Sequence, residues 1–291
     1  MLEVKYPSKI FLMGEYTILS GSKALAVPYH KYEGQWSFKN DESPARKISR
    51  DSLESFLKYD SDQHINRDKL KNDFEAGLWF DSTIPHGYGL GSSGALIAAI
   101  FNSYGLKRSN PVEDKKSLAR LEDHFHGSSS GIDPLVSHVQ KPILMHNFDD
   151  ISIIDQKLNL EDFFLLDTGK PRQAGALISL YKEKTKDPHF SIGCSDVLSK
   201  EVNFAIEALF KNDKDLLSHH LWHISKFQWE YFPEMIPTSF RRLWSYGLES
   251  GDYILKLCGA GGGGFILGYK KNLNLSDLNK LVSGHSVFAL N

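Results

Sequence analysis

Apolar and polar positions alternate through the first forty residues, in the segments KIFLM, TILSG, ALAVP and QWSF, with turn signals at Gly14, Gly21 and Pro28. Alternation of period two buries one face of each segment and predicts strands of an antiparallel sheet. Helical spacing takes over at 51–57 and 64–72, and residues 74–80 predict a strand leading into the Pro85/Gly87 loop. A helix begins near Ser92, a second covers 111–125 with Leu118, Leu121 and Phe125 on one stripe, and a short third covers 132–139 after a turn at 128–131. Strands are predicted at 142–145 and 151–154, on either side of the NFDD turn at 147–150. The pattern then restarts with an apolar strand at 163–166, a helix from about 172 to 184, and long helices at 196–211, 214–227 and 235–248. Strands at 253–258 and 265–269 flank a glycine run, and a short helix at 276–283 precedes a last strand at 287–290. The fold class is therefore α+β, in two domains of 1–155 and 156–291 joined somewhere in 146–162.

Composition narrows the function. With 41% apolar and 24% charged residues in 291, the chain is neither disordered nor collagenous. Lys and Arg number 34 against 36 Asp and Glu, so no global field draws nucleic acid or anionic lipid, and the expected partner is a small molecule. Residues 82–106 carry no Asp, Glu, Lys or Arg, but their first half, STIPHGYGLGSSG, is polar and glycine-rich, and the continuous apolar part, 95–101, is too short for a membrane span. Charges at Glu3, Lys5 and Lys9 do not suit a secretory signal, and two distant cysteines, Cys194 and Cys258, fit a reducing compartment; a cytoplasmic protein is expected. Oligomeric state is left open, a homodimer being one option.

Three segments carry chemistry. PHGYGLGSSG, residues 85–94, runs straight into the helix ALIAAIF. Gly87, Gly89 and Gly91 let backbone approach an anion, and the helix N-terminus adds unpaired N–H donors, which makes a phosphate cradle. No Lys completes a Walker A loop, and the GxGxxG match at 89–94 lacks the preceding strand and the later acidic residue of a dinucleotide fold. The bland alternative is a turn in which Ser92 or Ser93 caps the helix. The second segment, CGAGGGGF at 258–265, holds five glycines in six residues, more than a hairpin needs, so its backbone is expected to pack against a ligand or another loop rather than form a flexible connector. In the third, LEDHFHGSSSGID, Glu122 and Asp133 stand eleven residues apart across a loop and could converge as metal ligand and base.

In order and spacing these segments resemble the three motifs of the GHMP small-molecule kinases, over almost the whole chain. Motif one resembles Pro7-Ser8-Lys9 through Glu15-Tyr16, motif two the 85–95 loop, and motif three the 258–264 run. The block Glu122, His126-Gly127, Ser130-Gly131-Ile132-Asp133 is most similar to the mevalonate kinase branch, as is 167–172. The resemblance implies an N-terminal domain like ribosomal protein S5 domain 2, a ferredoxin-like C-terminal domain, and MgATP and substrate between them. It implies a kinase that phosphorylates a hydroxyl of a small carboxylic acid, mevalonate first and phosphomevalonate second. Carried over, Gly87, Gly89, Leu90, Gly91, Ser92, Ser93 and Gly94 would bind ATP. Ser93 and Glu122 would hold Mg²⁺, Asp133 would take the acceptor's proton beside Lys9, and Glu15, Tyr16, Arg172, Gly261 and Gly262 would bind substrate.

The departures fall near the acceptor: Ser8 where the family commonly has Gly, Tyr16 where mevalonate kinases usually carry His and phosphomevalonate kinases Tyr, and Gln173-Ala174 where Thr is usual in the second slot. With a neutral phenol at 16, the pocket's charge would come from Lys9, Lys170 and Arg172. A diphosphomevalonate decarboxylase is disfavoured by the kinase-like Glu122/Asp133 block, and a silent binding module by the presence of Ser93, Glu122, Asp133 and Lys9. His219, His220 and His223 read as helix-face residues, Trp222, Phe227, Trp229, Tyr231 and Phe232 as core, and His124 and His126 as loop packing.

Overall fold

A computed structural model of the chain describes all residues except 1–3, 41, 60–63, 107–109, 173, 283 and 291, so Gln173 lies outside the described residues. The α+β reading holds. Strands β1 (Tyr6–Met13) and β2 (Ala24–Ser37) are separated by a 3-10 turn at Thr17–Ser20. Helices α1 (Pro44–Leu57) and α2 (Arg67–Glu75) lead to β3 (Trp79–Ser82), and α3 (Ser92–Tyr104), α4 (Pro111–His126) and α5 (Ile132–Val139) follow. Next come β4 (Ile143–Met145), β5 (Ile151–Ile153), β6 (Phe163–Asp167), α6 (Ala174–Lys184), α7 (Pro188–Ile192) and a π-helical turn, Gly193–Leu198. The remainder is α8 (Ser199–Phe210), α9 (Lys214–Tyr231), α10 (Arg241–Ser250), β7 (Tyr253–Leu257), β8 (Phe265–Lys270), α11 (Leu275–Leu281) and β9 (Val287–Ala289).

Four boundaries differ from the periodicity, each for a local reason. The first helix begins at Pro44 rather than 51, because the Ser43 hydroxyl accepts the Arg46 N–H and proline fits the first helical position. Phe74 lies in the last turn of α2, which ends at Glu75, leaving only Trp79–Ser82 as strand. Residues 188–192 form a helix capped by Asp187, which continues through the π turn into α8. Pro237 splits the segment expected as one helix from 235, so that two 3-10 turns precede α10.

Strands β1, β2, β4 and β5 pair in that order, with β3 antiparallel to β2 in the register Trp36 to Phe80. A second sheet has the order β7-β8-β6-β9, and all of its pairings are antiparallel. The chain divides into two compact units, neither contiguous in sequence: Met1–Ile10, Ala26–Pro85 and Leu90–Ile143 form the first, and Phe11–Leu25, His86–Gly89 and Leu144–Asn291 the second. In the first, α3 is apolar on all sides and buried from Gly94 to Phe101, packed against α4 and α5. In the second, α8 packs on α9, and α9 and α10 cover β7. No helix among the described residues is long and apolar enough to cross a membrane.

Candidate active site

Strand β1 carries Lys9 into the first unit. Ser8, fully buried, donates its hydroxyl to the Tyr29 carbonyl at 2.7 Å, which is why a serine is accommodated there. The Ser137 hydroxyl donates to the Pro7 carbonyl, and the Lys9 N–H to the Leu90 carbonyl at 2.8 Å. One short stretch of β1 is thus bonded both to α5 and to the loop before α3. Leu90 is itself buried and anchors that loop.

Gly91, in the left-handed region at φ 73°, is the N-cap of α3, and no side chain caps the helix. The bland alternative, Ser92 or Ser93 as cap, is therefore not realised, and the positive end of α3 keeps its capacity for an anion. A Cβ on Gly94 would lie 2.8 Å from the backbone of Asp133 and Pro134, and one on Gly91 3.4 Å from the Asp133 carboxylate. These two glycines bring the helix N-terminus against the first turn of α5, where Asp133 stands.

The Lys9 ammonium, 4% exposed, lies 2.7 Å from Asp133 Oδ1, whose side chain is 28% exposed. Glu122 occupies the buried face of α4 with Lys115, Leu118 and Leu121, one turn before the helix stops at Gly127. Its carboxylate accepts the Ser93 hydroxyl at 3.0 Å and the Ser129 hydroxyl at 2.5 Å, and Ser129 Oγ in turn accepts the Gly131 N–H. Burial, and then the negative charge of Asp133, push the Glu122 carboxyl up to about 7 against the opposing pull of the two hydroxyls and Lys9. A cation would relieve this strained charge. The hard-oxygen pair of Ser93 and Glu122 suits Mg²⁺, which takes one or two carboxylates and completes its shell with water and phosphate. No group of three or more His, Cys, Asp or Glu that could hold a metal ion occurs among the described residues.

His126 corrects the sequence reading. Its Nε2 lies 2.8 Å from Ser93 Oγ, so it touches a candidate ligand rather than only packing the loop. His124 behaves as expected, edge-on to Phe56 and hydrogen-bonded to Ser55.

The other candidates gather in the second unit. The Arg172 N–H donates to the Gly87 carbonyl at 2.8 Å, and its guanidinium donates to the Cys258 carbonyl at 2.6 Å while Nε is buried without a partner. A Cβ on Gly89 would fall 1.5 Å from that guanidinium, and one on Gly87 2.9 Å from Pro171. Glycine at these two positions answers to the close approach of Pro171 and Arg172. The run at 259–264 is held rather than flexible: Gly262 N–H donates to Met235 O and Gly264 N–H to Lys170 O, both at 2.7 Å, and Thr168 Oγ1 donates to Gly264 O. Leu177 fills the space beside Gly262, and Met235 O that beside Gly261. Lys170 itself is exposed, and Ala174 opens α6.

Glu15 and Tyr16 point inward. Glu15, 6% exposed, pairs at 2.8 Å with Lys256, which is 3% exposed. The Tyr16 hydroxyl donates to the Ala260 carbonyl at 2.7 Å, and its ring stacks on Tyr181. Lys256 was missed, although a lone lysine inside the apolar strand YILKL signals a buried partner. His220 pairs with Glu201, and Phe227 and Phe232 are buried as helix packing requires, but Trp222 and Trp229 are only half-buried and Tyr231, at the end of α9, is exposed, so the core reading fails for Tyr231.

The model of the GHMP kinases N terminal domain matches residues 61–139, which hold the α3 loop, Glu122 and Asp133. A mevalonate kinase from Archaeoglobus fulgidus is 27% identical over 289 residues, covering 91% of each chain. Among solved structures, the Methanococcus jannaschii mevalonate kinase superposes with a TM-score of 0.65 at 16% identity, covering 99% of this chain and 98% of that one. Streptococcus pneumoniae phosphomevalonate kinase, in complex with phosphomevalonate and AMPPNP, gives 0.65 at 18% identity over 97% and 95%. The fold implied by the motifs is the fold these proteins share, and residues 61–139 match the N-terminal domain of the GHMP kinases across the motif-two loop.

Proposed function

We propose that this chain is a kinase that transfers the γ-phosphoryl group of ATP to a hydroxyl of a small hydroxylated carboxylic acid, with mevalonate as acceptor. The observation that carries the reading is the Lys9–Asp133 pair, 2.7 Å apart, set against the uncapped N-terminus of α3 through Gly91 and Gly94. Phosphoryl transfer runs through a loose transition state and asks a protein mainly for an anion cradle, countercharge and a positioned acceptor.

In this reading the triphosphate takes the 87–94 loop, and Ser93 and Glu122 hold Mg²⁺, which supplies countercharge to the phosphates. Asp133 accepts the acceptor's proton. An ordinary carboxylic acid is far too acidic to deprotonate an alkanol in the ground state, so the proton passes late, as the O–P bond forms, and Lys9 steadies the developing alkoxide. Arg172 and the backbone at Gly261 and Gly262 recognise the acceptor's anionic group. Mevalonate is favoured by the full-length relative of that name and by the 126–133 block. Phosphomevalonate is the second reading, on Tyr16, which resembles that branch. A coupled ADP-release assay with mevalonate and MgATP tests the proposal: acceptor-dependent ADP release supports it, and ADP release with no dependence on any acceptor contradicts it.

A further inference from the structure

Two successive residues, Glu15 and Tyr16, spend their polar groups on the same short length of chain. Glu15 pairs with Lys256 at 2.8 Å, two residues before Cys258, and Tyr16 donates to the Ala260 carbonyl two residues after it. Lys256 also donates to Leu257 O, and Leu257 N–H donates to Gln228 Oε1 at 2.8 Å, so the end of β7 is held from several sides. The Tyr16 ring is 4% exposed, stacked 4.6 Å from Tyr181 and tilted 5.7 Å from Phe232. A phenol has one proton to give. That proton is committed to Ala260, and the ring cannot carry the hydroxyl elsewhere without leaving both aromatic partners.

We infer that Glu15 and Tyr16 form a two-point staple for the glycine-rich loop, and that Tyr16 is a positioning residue whose effect on the acceptor passes through that loop rather than by contact. Glycine backbone has little stiffness of its own. Gly261 and Gly262, at φ 75° and 73°, follow Ala260 directly, so the bond at Ala260 fixes the entry to the two glycines assigned above to acceptor recognition. Burial and the adjacent Glu15 charge raise the phenol's pKa, so it stays protonated and keeps donating. An imidazole at position 16 would be too short to span the same gap, so the tyrosine here is matched to this loop.

The part concerning the acceptor rests on the kinase reading; the part concerning the loop does not, and the test separates them. Tyr16→Phe keeps the ring and deletes the bond. In the ligand-free chain, amide hydrogen exchange over 259–264 should accelerate about three- to tenfold, the scale of one buried neutral hydrogen bond. Exchange over 253–257 and 265–269 should hold, and the melting temperature should fall by no more than roughly 2–4 °C. In turnover, the acceptor KM should rise by a common factor for carboxylate and phosphorylated acceptors alike, with ATP KM unchanged. Tyr16→His should resemble Tyr16→Phe. Unchanged exchange over 259–264 would overturn the staple. Accelerated exchange with unaltered acceptor kinetics, or a KM rise confined to one anionic group, would overturn the positioning role. Wild-type chain that turns over none of the acceptors would sink the kinase reading instead, with the exchange result still deciding the staple.

Discussion

Asp133→Asn separates charge from shape at the centre of the site. Asparagine keeps an oxygen that can accept from Lys9 Nζ, now 2.7 Å from Oδ1, but gives up the negative charge. A charge-assisted bond exceeds a neutral one by about 1–2 kcal/mol, and because the Asp133 side chain is only 28% exposed, that difference is not lost to solvent screening. Stability should fall by about 1–2 kcal/mol, a loss of roughly 2–6 °C in Tm for a chain of this size. Turnover should fall much further. Loss of a general base costs about 10²-fold or more, equivalent to about 2.7 kcal/mol of barrier. Removing the charge also lifts the second-largest influence raising the Glu122 carboxyl, so that group should move back toward the ordinary carboxylate range. The assay is coupled ADP release at saturating ATP and acceptor, with a thermal melt to show that the variant is folded. Turnover within threefold of wild type would make Asp133 structural and refute the reasoning.

Three further changes probe the neighbouring parts. Gly94→Ala would drive a methyl to within 2.8 Å of the Asp133–Pro134 backbone; a loss of about 1–3 kcal/mol in urea unfolding, together with reduced kcat, is expected, and wild-type stability would show that the contact yields. Glu122 keeps its proton to about 7 in the folded chain but releases it near the ordinary 4.5 when unfolded, so the folded state binds more protons across that window and stability falls as pH rises through it. Glu122→Gln should remove that slope in urea melts between pH 4.5 and 7, and should weaken Mg²⁺ dependence; an unchanged slope would remove Glu122 as its source. Arg172→Ala should raise the acceptor KM about tenfold or more with little change in ATP KM, since charge-assisted pairing contributes about 1.5–3 kcal/mol; equal changes in both constants would assign Arg172 to the loops alone.

Much of this was legible beforehand where chemistry and periodicity agree. α3 and α4 read correctly because their apolar stripes are long and their starts are punctuated by Gly91 and by Asn110-Pro111. That Glu122 and Asp133 could converge was legible from their placement on either side of one loop, but that Lys9 joins them was legible only by resemblance, because no spacing rule brings β1 to α4 and α5. α1 was read short because 44–50 is mostly polar, although Ser43-Pro44 was a usable start signal. The glycines at 87 and 89 were assigned to phosphate, and nothing local announces that Pro171 and Arg172 approach them. Lys256, and the contact of His126 with Ser93, escaped the sequence for the same reason: each side chain finds its partner more than thirty residues away, at Glu15 and Ser93, and a partner across such a distance has no local pattern.

The most direct test is kcat/KM for MgATP-dependent ADP release, measured side by side with mevalonate, phosphomevalonate, homoserine and galactose. The account predicts acceptor-dependent release with mevalonate the best of the four. A ratio favouring phosphomevalonate would contradict the mevalonate assignment and make Tyr16, rather than the 126–133 block, the informative residue. Preference for homoserine would contradict mevalonate while keeping a hydroxylated carboxylic acid as acceptor, whereas preference for galactose, or release indifferent to all four, would contradict the hydroxy-acid kinase itself.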